Sequence, residues 1–542
     1  MKKVKKRKGF TFSKRPVLIF SLFCAVLAGV TGRLANLTAG QNGIASADTT
    51  QRSVTVGRSR GYIYDRNLRP LVNDGEKNTA AIIINDKTRQ FINNEIIKGQ
   101  SLSTSGVIVT FESDEKIEET LFSTNVRTVV RYSKQALCGH IIGYTDGEGR
   151  GVCGIEKSFD RLLSAAEGSV GVKYSSNAGG EAIAGTGLQV TNDGYDDPSG
   201  IVLTIDKDIQ IIVEDSLKKS GITTGAAIVL KVGTGEIMAL ASLPCFDRNN
   251  LKASLNDDSL PFLNRALSAY PVGSVFKPFI AAAAIENDIS PPNDFYCSGK
   301  TEVGELVFRC FNSAVHGQLD LNKAICRSCN SYFISLGQET GAKSICDICS
   351  RMGFGKETVL TGDIKASAGV LPDEESLSSP GALANLCFGQ GELLATPLQL
   401  AAAFNCLASG GEYSSPYITK ALVNEKKQEY AYYKNDEPVE ILKDSTTEII
   451  NEALNLNMTE GTGKPGSSEF FSSAGKTATA QTGKYEADGK EKLCTWFCGF
   501  FPYDFPEYTV AVFCENGTSA AEDCAPVFKS ISEGIYFAGL NG

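Results

Sequence analysis

The stretch "TTGAAIVLKVGTGEIMALASLP", residues 223–244, sets two apolar runs on either side of a Gly-Thr-Gly turn. Short apolar runs broken by turn residues predict a β-hairpin. Its surroundings decide the layering. Before it, "GIVLTIDKDIQIIVEDSLKKSG" (200–221) predicts a strand and then an amphipathic helix with Ile209, Ile212, Val213 and Leu217 on one face. After it, "SVFKPFIAAAAIEN" (274–287) predicts a buried helix whose alanines permit close packing on all sides. "TPLQLAAAFNCLASGG" (396–411) predicts another helix, ending on a glycine pair suited to a C-cap. The chain then returns to the strand-like runs "FSSAGKTATAQT" (471–482), "LCTWFCGFFP" (493–502) and "YTVAVFCENG" (508–517), with a short helix near 525–537. Strands, then helices, then strands predict an α+β fold, one sheet covered by helices rather than alternating βαβ units.

At 542 residues the chain is too long for one ordinary core, so two or more domains are expected. The hydrophobic fraction of 42% and charged fraction of 21% are those of a folded protein. A net charge of −9 argues against a nucleic-acid surface, and no nucleic-acid partner is expected. The acidity is not uniform. Residues 1–15, "MKKVKKRKGFTFSKR", carry Lys2, Lys3, Lys5, Lys6, Arg7, Lys8, Lys14 and Arg15 with no acid, and read as a cytoplasmic tail. Residues 16–32, "PVLIFSLFCAVLAGVTG", hold no charge and reach about 26 Å as a helix, at the short end for a membrane span. The denser positive flank stays inside, which places the long remainder outside the cytoplasm. "ASA" at 45–47 resembles a signal-peptidase site but lies far beyond the apolar run, so an uncleaved, single-pass anchor is the expectation. Residues 33–53 read as a polar linker, 54–200 as a mixed β-rich region, and 201–542 as the domain that holds the hairpin.

Sixteen cysteines leave fifteen outside once Cys24 lies in the membrane, an odd number with at least one unpaired thiol. Cys297 and Cys310 bracket "SGKTEVGELVFR" and can staple a hairpin. Cys326-x-x-Cys329 and Cys346-x-x-Cys349, sixteen residues apart, have the spacing of a four-cysteine zinc site. Cys329 also falls inside a second motif, where a metal would constrain the chemistry, so no metal site is expected.

Catalytic types narrow by elimination. His140 and His316 are the only histidines, which excludes HExxH and a His-rich metal centre, and no G-x-S-x-G elbow occurs. His316, in "SAVHGQLDL", reads as a loop histidine. If a serine is activated here, lysine is the available base. "YPVGSVFKPF" (270–279) sets Ser274 and Lys277 three apart at a helix start, on one face, with Gly273 allowing the turn and Pro278 near the N-terminus. Free N–H groups at that end favour developing negative charge, and a lysine shielded from water loses pKa and can act as a base. "CRSCNSYF" (326–333) offers the Ser328 hydroxyl as a proton shuttle and the Asn330 amide for a substrate peptide group, or else a helix cap. "SAGKTATAQTG" (473–483) offers Lys476, Thr477 and Thr479 on a strand that can grip a carboxylate while a peptide pairs with its edge, or else an exposed polar edge strand.

Ser-x-x-Lys, then Ser-x-Asn 54 residues on, then Lys-Thr-x before the terminal strands is the order described for penicillin-binding proteins and serine β-lactamases. The chain resembles a class B penicillin-binding protein over residues of about 55 to 515. "SRGYIYDRNLRPLV" (59–72) and "HIIGYTDGEGRGVCGIEKSFDRLL" (140–163) resemble its pedestal motifs, while "LTIDKDIQ", "GEIMALASLPCFD", "NRALSAYPVGSVFKPF" and "FGQGELLATPLQLAAAF" resemble transpeptidase-domain landmarks. The resemblance implies a penicillin-binding, serine β-lactamase-like domain with an antiparallel sheet, behind a pedestal. It implies D,D-transpeptidation of peptidoglycan stem peptides, acylation by β-lactams, no cofactor, and a polytopic membrane glycosyltransferase as partner. Ser274 would be acylated, Lys277 would deprotonate it and Ser328 would relay the proton. Asn330 would hold the substrate amide, and Lys476, Thr477 and Thr479 the terminal carboxylate, with the N–H groups of Ser274 and Thr479 as oxyanion hole. A D,D-carboxypeptidase or β-lactamase, or a non-catalytic cell-wall scaffold, is the alternative. Two departures stand out. Ala478 replaces the usual glycine of Lys-Thr-Gly, where its methyl is expected to crowd the substrate strand, and Leu68 stands where glycine is common in "DRNLRP".

Overall fold

The structure is a computed structural model that describes residues 14–39, 50–98, 101–177, 181–183, 186–486 and 488–540. Most of the basic tail (1–13) and the Ala-Ser-Ala at 45–47 lie outside the described residues. The chain divides into two compact units that interleave in sequence: 1–56, 78–126 and 171–191 in one, and 57–77, 127–170 and 192–542 in the other.

The first unit begins with the helix Lys14–Ala39, from which Val17, Ile19, Phe20, Leu22, Phe23 and Val26 are exposed. Among the described residues no helix is long and apolar enough to cross a membrane. A small core of Ala80, Ile82, Ile92, Val109 and Phe111 lies on a sheet that includes Gly75–Ile83 and Ile108–Ser113, an antiparallel pair. Both strands are β-like runs of the sequence, with side chains alternating between faces.

In the second unit, Gly225–Lys231 (β1), Ile237–Leu243 (β2), Ala474–Tyr485 (β3), Glu491–Phe501 (β4) and Tyr508–Gly517 (β5) form one antiparallel sheet in the order β2-β1-β5-β4-β3. The hairpin of the opening stretch is its β1–β2 edge, pairing Gly225 with Leu243. Helices cover both faces. Ala226, Ile228, Leu230, Trp496 and Phe513 face one core, shared with the helices Lys277–Glu286 (α2), Asn330–Thr340 (α3) and Pro397–Ala408 (α4). Ala227, Val229, Phe497 and Val512 face the other, shared with Lys207–Ser220 (α1) and Ala525–Phe537 (α5). Burial on both faces explains why the strands read as continuous apolar runs instead of alternating ones. The predicted amphipathic helix is α1: Asp206 caps it by accepting from the Asp208 and Ile209 N–H groups, and left-handed Gly221 ends it. The predicted buried helix is α2, whose residues Lys277–Ala284 are all buried.

Two sequence landmarks far apart in the chain meet through a buried charge. Arg60 Nε lies 3.0 Å from Glu156, which also accepts from Arg131 Nε at 2.8 Å and from the Tyr132 hydroxyl at 2.7 Å. Leu68 has φ 58°, a left-handed conformation that accounts for glycine being common there.

Candidate active site

Ser274 sits in a tight turn, Gly273–Phe276, that feeds α2. Gly273 has φ +68°, and its N–H donates to Gly389 O at 2.7 Å. The Trp496 indole N–H of β4 holds the segment just before, donating to Pro271 O at 2.9 Å. The rings of Phe276 and Phe279 pack edge-on against Phe354, with centroids 5.5 and 5.3 Å away. The serine itself remains half-buried above a rigid base.

Lys277 is fully buried. Its Nζ donates to Ser328 O at 2.7 Å, to Ser328 Oγ at 3.2 Å and to Asn330 Oδ1 at 2.7 Å. Those three bonds match the three hydrogens of an ammonium. Burial lowers the lysine from its ordinary value to about 7, while the thiols of Cys329 and Cys310 pull the other way. Near neutrality the amine is therefore partly unprotonated, which a base requires. Ser328 takes φ 53°, and Asn330 opens α3 while its Nδ2 donates to Arg309 O at 3.0 Å.

The third motif lies on β3, an edge strand of the sheet, against which the Gly273–Phe276 turn packs. Lys476 is fully buried, and its pKa is pushed well down by burial and then by the nearby Lys277. Its Nζ donates to Thr477 O at 3.1 Å and to Thr462 Oγ1 at 3.4 Å, and Thr462 Oγ1 lies 2.6 Å from Thr477 Oγ1. Thr479 is half-buried. The structure thus brings Ser274, Lys277, Ser328, Asn330 and β3 to one place. Burial disfavours the charge on both lysines, and a carboxylate arriving there would favour it again.

Ala478 is 3% exposed and packs inward. A Cβ added to Gly273 would lie 3.4 Å from the Ala478 methyl and 3.2 Å from that of Ala480. The methyl therefore faces the serine's turn on the side where Gly273 carries no side chain. Thr462 was not visible as a site residue; its only sequence signal is the Gly-Thr-Gly turn at 461–463. His140 is half-buried with its Nε2 2.8 Å from Pro261 O, and loss of hydration lowers it to about 4, so it stays neutral. Cys326, Cys346 and Cys349 do not join Cys329: among the described residues the one cluster of metal-ligand type combines Cys329 with Cys297, Cys310 and His316.

The family described as penicillin binding protein transpeptidase domain matches residues 225–533. The chain belongs to that family, as a class B penicillin-binding protein. It is 29% identical over 406 residues to stage V sporulation protein D of Bacillus subtilis, a match covering 72% of this chain and 60% of that protein. It is 30% identical over 419 residues to the peptidoglycan D,D-transpeptidase MrdA of Acinetobacter baumannii, covering 70% and 60%. The matched stretch thus spans about 60% of the length of these relatives. A solved structure titled "Structural coordination of polymerization and crosslinking by a peptidoglycan synthase complex" shares the fold with TM-score 0.70 and 22% identity over 98% of this chain and 99% of that one.

Proposed function

We propose that this chain is a serine D,D-transpeptidase that cross-links peptidoglycan stem peptides and is acylated by β-lactams. The observation that carries the reading is the buried Lys277, bonded to Ser328 and Asn330 and three residues after the half-buried Ser274. The Ser274 hydroxyl attacks the carbonyl carbon between two terminal D-alanines as Lys277 takes its proton. The carbon–nitrogen bond breaks, and the departing D-alanine amine receives a proton relayed through Ser328. An amine of a neighbouring stem then attacks the ester, re-forming a peptide bond and returning the proton to Ser274. Asn330 orients the substrate amide, Lys476, Thr477 and Thr479 bind its carboxylate, and the Ser274 and Thr479 N–H groups stabilise the oxyanion. The relatives' names supply the substrate class, and the free edge of β3 supplies a place for an extended peptide.

The uncharged run 16–32 inside the helix Lys14–Ala39, behind a basic tail, supports a short single-pass anchor with the catalytic domain outside the cytoplasm. Residues 54–200 would form the pedestal and 201–542 the transpeptidase domain. The synthase complex that shares the fold supports a polymerase partner, a polytopic membrane glycosyltransferase.

The test is labelling of the purified full chain with a fluorescent penicillin beside Ser274→Ala. A covalent label that vanishes in the variant supports the acyl-enzyme, and release of D-alanine with or without an acceptor amine separates transfer from hydrolysis. Absence of label in both the folded parent and a folded Ala478→Gly variant would leave a cell-wall scaffold as the better reading.

A further inference from the structure

Behind the Ser-x-Asn turn, four side chains from separate segments converge. Cys297 ends the strand Phe295–Cys297, Cys310 follows the strand Leu306–Arg309, His316 precedes the strand Gly317–Leu319, and Cys329 caps α3. Their Sγ and ring nitrogen atoms all lie within 4.8 Å of one another. Cys297 Sγ is 3.7 Å from Cys310 Sγ and 3.5 Å from His316 Nδ1, and Cys310 Sγ is 3.7 Å from Cys329 Sγ. A tetrahedral zinc ion with ordinary Zn–S and Zn–N bonds separates its sulfur ligands by about 3.8 Å and sulfur from nitrogen by about 3.5 Å. The three contacts have that spacing. The sulfurs also accept from the backbone, Cys297 from Gly299 N–H and Cys329 from Tyr332 N–H, both at 3.4 Å, as outer-shell donors to thiolate ligands do.

The surrounding fold needs a staple. Residues 295–319 build only two-stranded sheets, Phe295–Cys297 with Gly317–Leu319 and Lys300–Val303 with Leu306–Arg309. Tyr296, Leu306, Val307, Phe311 and Val315 are exposed there, so this segment has little core of its own. A two-stranded hairpin is marginal in water without added support.

We propose that Cys297, Cys310, His316 and Cys329 bind one zinc-class divalent cation in a closed tetrahedral site that positions the Ser328–Cys329–Asn330 turn. Three thiolates and an imidazole select zinc over harder cations. One ion would secure Cys329, between the two motif residues, and Cys310, next to the Arg309 carbonyl that holds the Asn330 amide. Its role is positioning, because no ligand touches the reacting atoms. The site stands on its own geometry; only its consequence for acylation rests on the transpeptidase reading.

The experiment titrates Co²⁺ into the reduced, chelator-stripped full chain. One equivalent should produce a thiolate-to-cobalt charge-transfer band with tetrahedral d–d bands, both abolished by added Zn²⁺. Cys297→Ser and His316→Ala should each weaken binding by more than the ~10–100-fold that loss of an outer-shell partner costs, while Cys346→Ser leaves it unchanged. Stripping should slow penicillin labelling of Ser274, and Zn²⁺ should restore it. No charge-transfer band in the parent chain with its cooperative thermal melt intact overturns the site, as does a band that survives both ligand variants. A zinc-binding chain whose labelling rate ignores the metal overturns the positioning role. A chain that binds cobalt but takes no penicillin faults the acyl-transfer reading and leaves the metal site standing.

Discussion

Two residues beside the serine decide how this site behaves. Lys277 is held near 7 mainly by burial, so the unfolded chain retains its proton to far higher pH than the folded one. Between about pH 7 and the ordinary lysine range near 10.4 the unfolded state binds more protons, so this group makes stability rise with pH across that window. The same titration governs the base. Penicillin acylation of Ser274 should climb as pH passes through about 7 and then level, measured as the second-order labelling rate against pH. Lys277→Ala should lower that rate by ~10²–10⁴-fold with no remaining limb near neutrality. A limb that survives the substitution would assign the base elsewhere. Gly273 is as sensitive for a different reason. Its positive φ strains any side chain, and a Cβ there would sit 3.2 Å from the Ala480 methyl, which would have to give by a few tenths of an ångström. Gly273→Ala should destabilise the fold by about 1–3 kcal/mol in denaturant melts and slow labelling, whereas Ala478→Gly, which removes a contact instead of adding one, should leave the melt nearly unmoved.

Single elements carry the next level of control, and here the sequence was readable where function follows local chemistry. The turn into α2, the capped α1 and the β1–β2 hairpin each announce themselves within a dozen residues, through a glycine, an aspartate or a Gly-Thr-Gly. The Cys346-x-x-Cys349 pair misdirects for an equally local reason. It is an i,i+3 pair on the helix Ala342–Arg351, with Cys349 in the core and Cys346 Sγ donating to Pro372 O at 3.3 Å. Thr462 and the Cys297–Cys310–His316–Cys329 cluster were hidden because each depends on which segments the fold brings side by side, and spacing holds no record of that. The meeting of Arg60 with Glu156 is of the same kind, 96 residues apart and buried. Glu156→Ala leaves Arg60 its pair with Asp160 at 2.7 Å but removes the carboxylate it shares with Arg131 and Tyr132, so it should cost about 1.5–3 kcal/mol of stability by chemical denaturation. A loss below 1 kcal/mol would show that water reaches these arginines once the carboxylate is gone.

At the scale of the whole chain, the question is whether the N-terminus holds the protein to a membrane. Two forces are available at the N-terminus, and only one of them is screened by salt. The eight basic residues among the first fifteen attract an anionic leaflet at about 1 kcal/mol each, an interaction that high ionic strength screens. The helix Lys14–Ala39 rises about 39 Å, and its uncharged run 16–32 exposes apolar side chains that water disfavours at any salt concentration. If the run inserts, the full chain should remain in the membrane pellet through washes in high salt and in alkaline carbonate. Deleting residues 1–33 should then release the protein to the supernatant with its penicillin labelling of Ser274 unchanged, because the motifs all lie after residue 270. Release of the full chain by salt alone would assign the attachment to the basic tail and reduce the helix to a surface contact. A truncated chain that still pellets would move the membrane contact to the residues after 33.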